Sequence, residues 1–197
     1  MLTFHSFYYI KNILSIITPI IGLILAYFGL STWREQLWGK TEYEIARKLL
    51  RATYECREAV NYVRHPFISS GEMQPPADKS DINDEKKKSF YGIANAYEKR
   101  WNKVIEARTN LDTELLEAEV LWGQEIRTEF NDLFEVIKEL FINLSHYLNN
   151  INPDSGTKLD YDWNILYSNL TEDDEYTKKM KKSISKVEEK LKPHFSR

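Results

Sequence analysis

NILSIITPIIGLILAYFGLSTW, residues 12–33, is an uncharged run bounded by Lys11 and Arg34. A helix rises about 1.5 Å per residue, so the run reaches roughly 33 Å, and the hydrocarbon core of a bilayer is about 30 Å thick. The run therefore predicts one membrane-spanning helix. A cleaved signal peptide is the competing reading, but such segments carry an apolar core of about 7–15 residues, a basic start and a small-x-small exit. Here the start, MLTFHSFYYIK, has one lysine and four aromatic rings, and the exit, GLSTWREQLW, is bulky. A retained anchor fits better.

Lysine and arginine close to a span collect on its cytoplasmic side. Before the run there is only Lys11; after it come Arg34, Lys40, Arg47, Lys48 and Arg51. This bias predicts an extracytoplasmic N-terminus and a cytoplasmic body in a single-pass membrane protein. Tyr8 and Tyr9 mark one lipid–water boundary and Trp33 and Trp38 the other. Within the span, Ser15, Thr18, Gly22, Ala26 and Gly29 recur at steps of three and four and so share one helix face. Small residues at that spacing let helix backbones approach closely in lipid. The face reads as a self-association surface, with Ser15 and Thr18 as its wettable positions if several spans line a pore. It also reads as the ordinary composition of a span. Pro19 frees a backbone carbonyl and permits a kink.

The 164 residues after Trp33 suffice for one ordinary domain and carry 26 basic against 30 acidic residues. Such a balance neither demands nor excludes a polyanionic partner. Cys56 is the single cysteine, so no intramolecular disulfide can form. The sequons at Asn143 and Asn169 matter only on a secretory route, which the orientation argues against.

Residues 34–65 predict an amphipathic juxtamembrane helix on the stripe Ile45, Leu49, Thr53, Cys56, Val60 and Val63. Pro66 ends it, because a residue before proline is pushed out of the helical region. Residues 66–83, with three prolines and many turn formers, read as a loop. Residues 84–152 predict a long helical element. Its stripe runs Tyr97, Trp101, Val104, Arg108, Leu111, Leu115, Ala118, Trp122, Ile126, Phe130, Leu133, Ile137, Leu140, Leu144 and Leu148. Steps of three and four over that length are a coiled-coil or long-bundle pattern. Gly123 is the place for a joint. Unbroken, the element would approach roughly 100 Å, so it either folds back at Gly123 or packs against copies of itself. Residues 153–197 read as a turn, a short apolar piece from Tyr161 to Leu170, and a basic helix that starts at the acidic group Thr171 to Asp174 and stops before Pro193. The fold class is all-α: residues 1–11 outside, 12–33 spanning, then a long-helix bundle or coiled-coil-like body.

Charge is segregated along that body. Asp112–Glu139 holds nine acids and two bases, and Tyr176–Arg197 holds eight bases and two acids. Either the basic helix lies against the acidic one, or its lysines meet the phosphates of lipid headgroups or nucleic acid.

Catalytic signatures are missing. The histidines at 5, 65, 146 and 194 are scattered, and there is no metal-spaced cluster and no glycine-rich phosphate cradle. The reading is of a protein without enzymatic activity, catalytic residues, bound metal or cofactor. Two features point to binding. Arg108 falls within the apolar stripe, where a buried guanidinium needs a carboxylate or an anionic ligand; Glu55 or Glu58 on the neighbouring helix are the expected partners. Arg100, Trp101 and Lys103 interleave cations with an aromatic ring, a mix that suits single-stranded nucleic acid and equally suits an amphipathic helix. With Arg64 at a helix end, Arg64, Arg100, Trp101, Lys103 and Arg108 form the candidate anion-binding set.

The segments ILAYFGLSTWREQLWGKTEYEIARKLLRATYECREAVNYVRHPF, NAYEKRWNKVIEAR and LLEAEVLWGQEI resemble a family of small single-span bacterial defence proteins, the membrane effectors of the Hailong anti-phage system. The resemblance implies a homo-oligomer, specifically a tetramer, that forms an ion channel. It implies that single-stranded DNA oligomers made by a partner nucleotidyltransferase hold the channel closed, and that opening depolarises the infected cell. It supplies no motif that places a DNA site on particular residues. The expectation is an oligomeric membrane effector gated on its cytoplasmic body by a nucleic-acid or partner ligand. The alternative is a membrane-anchored coiled-coil scaffold without a pore.

Overall fold

The computed structural model describes residues 2–79, 82–170 and 172–195, and side chains from residue 17 onward within α1. The chain is all-α among the described residues, in the order α1 (Leu2–Arg64), α2 (Glu85–Trp122), α3 (Glu125–Thr128), α4 (Asn131–Ile151), α5 (Trp163–Leu166) and α6 (Glu175–Leu191), with short 3-10 turns at Ala77–Lys79 and Lys192–Phe195. It divides into two compact units, Met1–Glu44 and Ile45–Arg197, with α1 running through the division.

In the first unit α1 contains a stretch long and apolar enough to cross a membrane. Pro19 lies inside the helix. Every side chain from Ile17 to Trp38 is exposed, among them Leu23, Leu25, Tyr27 and Phe28. This surface has no cover from the chain itself.

The second unit is an up-down-up-down four-helix bundle of α1 from Ile45 onward, α2, α4 and α6. Side-chain pairs fix the directions. Asn110 on α2 donates to Glu55 on α1, and Arg100 donates to the Tyr62 carbonyl. Between α2 and α4, Tyr97 meets Tyr147 and Trp101 meets Phe141. Between α4 and α6, Glu139 pairs with Lys179 and Asp132 with Lys186. Between α6 and α1, Thr177 meets Arg64 and Glu188 meets Tyr54. In each case one number rises as the other falls, so every neighbour is antiparallel.

The apolar stripes form the core. Leu49, Cys56, Val60 and Val63 of α1 pack with Val104, Leu111 and Leu115 of α2, Leu133, Leu140 and Leu144 of α4, and Met180, Ile184, Val187 and Leu191 of α6. Each such leucine, isoleucine or valine removed from water contributes about 1.5–3 kcal/mol. The long stripe does not run unbroken. At Gly123 the backbone takes φ 85° and ψ 171°, a region open only to glycine. After α3 the chain returns as α4, so the seam between α2 and α4 is satisfied within one chain.

Side chains set the helix ends. Asp84 accepts from the Lys86 and Lys87 amides and starts α2. Asp174 accepts from the Thr177 amide and starts α6. Each cap satisfies donors that a first helical turn leaves without partners. The basic helix lies against the acidic one: Lys179 with Glu139, Lys186 with Asp132 and Glu129, and Lys190 with Glu129.

Candidate functional site

Arg64 and Arg100 are the largest fully buried side chains of the bundle. Arg64 closes the last turn of α1. Its Nε donates to the Ile165 carbonyl, Nη1 to Thr177 Oγ1, and Nη2 to the carbonyls of Asn164 and Tyr167 and to Asp174 Oδ2 at 3.0 Å. Its guanidinium carbon lies 4.3 Å from the centre of the Tyr176 ring. Carbonyls at the end of a helix have no partner within it, and Arg64 collects those of the short α5. The Ser168 amide returns a bond to the Arg64 carbonyl. Asp174 is held below the usual carboxylate range: burial opposes this, and the bonds from the Thr177 amide, Arg64 and the Asn169 amide outweigh it.

Arg100 does the same for the loop after α1. Nε donates to Glu72 Oε1 at 2.9 Å, Nη1 to the carbonyls of Tyr62 and His65, and Nη2 to the Phe67 carbonyl and Glu72 Oε2. All five N–H donors of the guanidinium are spent. Glu72 also accepts from Tyr62 and from the Ser69 amide. These bonds, Arg100 first, lower its pKa from 4.5 to about 2. The loop sits so close to α2 that a Cβ at Gly92 would lie 2.1 Å from the Met73 carbonyl oxygen.

The five expected anion-binding residues thus have separate partners. Arg64 and Arg100 are internal clamps with their charge met by Asp174 and Glu72. Trp101 is half-buried against Phe141, ring centres 5.1 Å apart. Arg108 requires a correction. It pairs with Asp112 one turn along its own helix and lies over the Phe134 ring, while Glu55 is taken by Arg51 and Asn110, and Glu58 by Arg57. The i to i+4 spacing on α2 brings Asp112 within reach of Arg108, and the Phe134 ring of α4 lies against its guanidinium. Burial lowers the Arg108 pKa, against the Asp112 charge. Lys103 alone of the five keeps an exposed ammonium, 4.2 Å from the centre of the Tyr62 ring.

On the apolar stretch of α1, Thr18, Gly22, Ala26 and Gly29 are exposed, and a Cβ added at Gly22 or Gly29 meets nothing within 4 Å. The Ser15 side chain lies outside the described residues. Cys56 is buried in the core, and burial pushes its thiol up to about 12, which disfavours the reactive thiolate. Among the described residues no cluster of histidine, cysteine or carboxylate side chains is arranged to hold a metal ion.

Sequence reasoning missed an aromatic group at one end of the bundle. Tyr147 meets Tyr97, Tyr161 and Trp163 edge-on, and Trp163 stacks on Tyr167 at 5.1 Å. The Tyr97 hydroxyl donates to that of Tyr167. The signal was the density of rings in YDWNILY, residues 161–167, which the helical periodicity did not weigh.

Comparison with family models, curated proteins and solved structures finds no match to the chain. The resemblance to the defence effectors rests on the three quoted segments alone.

Proposed function

We propose that this chain is a single-pass membrane effector that assembles with copies of itself into a gated ion channel and depolarises a phage-infected bacterium. The observation that carries the reading is the exposed apolar length of α1 from Ile17 to Trp38, with Thr18, Gly22, Ala26 and Gly29 on one face. Lipid covers the bulky faces, and the small face admits another helix at close range. The basic excess after the span sets the bundle in the cytoplasm and the N-terminus outside the inner membrane. A ligand on the bundle biases closed against open through a difference in affinity for the two states. If that ligand is single-stranded DNA from a partner nucleotidyltransferase, Lys103 is the member of the candidate set able to meet phosphate, because Arg64 and Arg100 are spent on the chain.

A second reading, an anchored scaffold without a pore, draws on the self-contained bundle, whose long seam needs no second chain. Purified protein reconstituted in liposomes separates the two. The channel reading expects oligomers by mass photometry and release of an ion gradient. A monomer, or an oligomer that leaves the gradient intact, makes the scaffold the better account. A C-terminal alkaline phosphatase fusion should be inactive in intact cells and a fluorescent-protein fusion bright; the reverse overturns the orientation.

A further inference from the structure

The solvent side of α2 carries a second apolar stripe besides the one in the core. Ile105, Thr109, Thr113, Leu116 and Val120 follow one another at steps of four, four, three and four, and all five are exposed, Val120 by 91%. The stripe is about 22 Å long at helical rise. Its two hydroxyls make no demand on solvent: Thr109 Oγ1 donates to the Ile105 carbonyl and Thr113 Oγ1 to the Thr109 carbonyl. On one flank stand Glu106 and Glu117, both exposed and without an ion pair among those described.

A complementary surface lies on the same bundle. Between α4 and α6 runs a groove of about 560 Å³ that exposes Ile142 and Lys182 and is lined as well by the buried Val136. Its carboxylates are already met, Glu135 by Lys138, Glu139 by Lys179 and Asp132 by Lys186. Lys182 and, further along, Lys192 are exposed and have no ion pair among those described. The heights agree. Trp101–Phe141 and Arg108–Phe134 put Glu106 level with Val136. Glu139–Lys179 and Asp132–Lys186 put Val136 level with Lys182. Continued along the helices, with Glu129–Lys190 as the last marker, the same register puts Glu117 near Lys192.

We propose that the outer stripe of α2 docks into the α4–α6 groove of a second copy of this chain, with Glu106 facing Lys182 and Glu117 facing Lys192. Rotation about an axis along the helices keeps every residue at its own height, so residues level within one bundle meet between bundles. The two faces differ, so the contact is heterologous and closes into a ring when the rotation closes. A parallel arrangement is required by the membrane-anchored reading on which this inference rests. Copies that share one topology in one bilayer run in the same direction, which an antiparallel pairing of α2 helices does not allow.

The test is charge exchange in the full-length protein in detergent micelles, with assembly followed by mass photometry over a concentration series. Glu106→Lys and Lys182→Glu should each shift the protein several-fold toward monomer, and the double variant should restore assembly. Ile105→Lys and Leu116→Lys should also dissolve it. All four sites are exposed, and thermal unfolding by circular dichroism checks that the bundle is intact. An oligomer indifferent to these changes, or a double variant no better than the singles, overturns the docking surface and leaves the channel reading standing. Assembly that depends on the stripe but passes no ions supports the surface and overturns the channel. A monomeric wild type overturns both.

Discussion

Two buried arginines decide how the connections around the bundle are held. A guanidinium removed from water is expensive unless its donors are met, and removing one partner of such a pair costs more than the pair contributes. Arg64→Ala should therefore destabilise the bundle by about 3–5 kcal/mol, read as a lower urea midpoint at unchanged slope, because Asp174 and the α5 carbonyls lose their donor. Glu72 gives the pH dependence. Its folded pKa of about 2 lies below the ordinary 4.5, so the stability it contributes is present above about pH 4.5 and is lost as pH falls toward 2. Glu72→Gln should flatten the decline of the urea midpoint across that interval. A decline of unchanged steepness would assign the acid sensitivity to another carboxylate, with Asp174 the next one held low. At this scale the sequence was only half legible. Arg64 and Arg100 stood out as cations at a helix end and beside aromatic rings, but the partners that consume them lie 110 and 28 positions away. Helical periodicity carries no information about such pairings. Arg108 differs: its stripe position was right, but the carboxylate that meets it, Asp112, stands one turn along its own helix and not on α1.

The elements themselves were far more legible, because their causes are local. Pro66, Asp84, Gly123 and Pro193 each act within a turn of the chain, and the boundaries they imply agree with α1, α2 and α6. The choice between a fold-back at Gly123 and packing against copies could not be made from the stripe, which is the same in both. It depends on Gly123 leaving the helical region at φ 85°. Gly123→Ala should cost about 1–3 kcal/mol, the price of a non-glycine residue in that region. Gly92 is constrained for a different reason, since a Cβ there would collide with the Met73 carbonyl. Gly92→Ala should lift the loop from α2 and raise its rate of limited proteolysis between residues 66 and 79. Overpacking of this kind costs about 1–3 kcal/mol. Equal cleavage of the wild type and the Gly92 variant would mean that Arg100 and Glu72 alone hold the loop down.

For the whole molecule, the contrast lies between a bundle that completes its own core and a long apolar helix that covers none of its surface. From Leu49 to Leu191 the core stripes are buried within one chain, whereas every side chain from Ile17 to Trp38 is exposed. On the membrane reading proposed above, the cover of this stretch is lipid or other chains. Close packing in lipid depends on small residues, because the hydrophobic effect gives helices no drive to leave a medium as apolar as themselves. If spans meet on the face of Thr18, Gly22, Ala26 and Gly29, then Gly22→Leu fills space that is open in one chain and blocks approach in an assembly. Leu23→Ile keeps its volume on another face. The expected outcome is loss of oligomers and of ion release for Gly22→Leu and near-wild-type behaviour for Leu23→Ile, with both proteins still in the membrane fraction. The unfolding midpoint of the bundle should be the same in both, since neither position belongs to its core. If the two variants behave alike, the small-residue face is ordinary span composition, and assembly must be sought on the bundle instead.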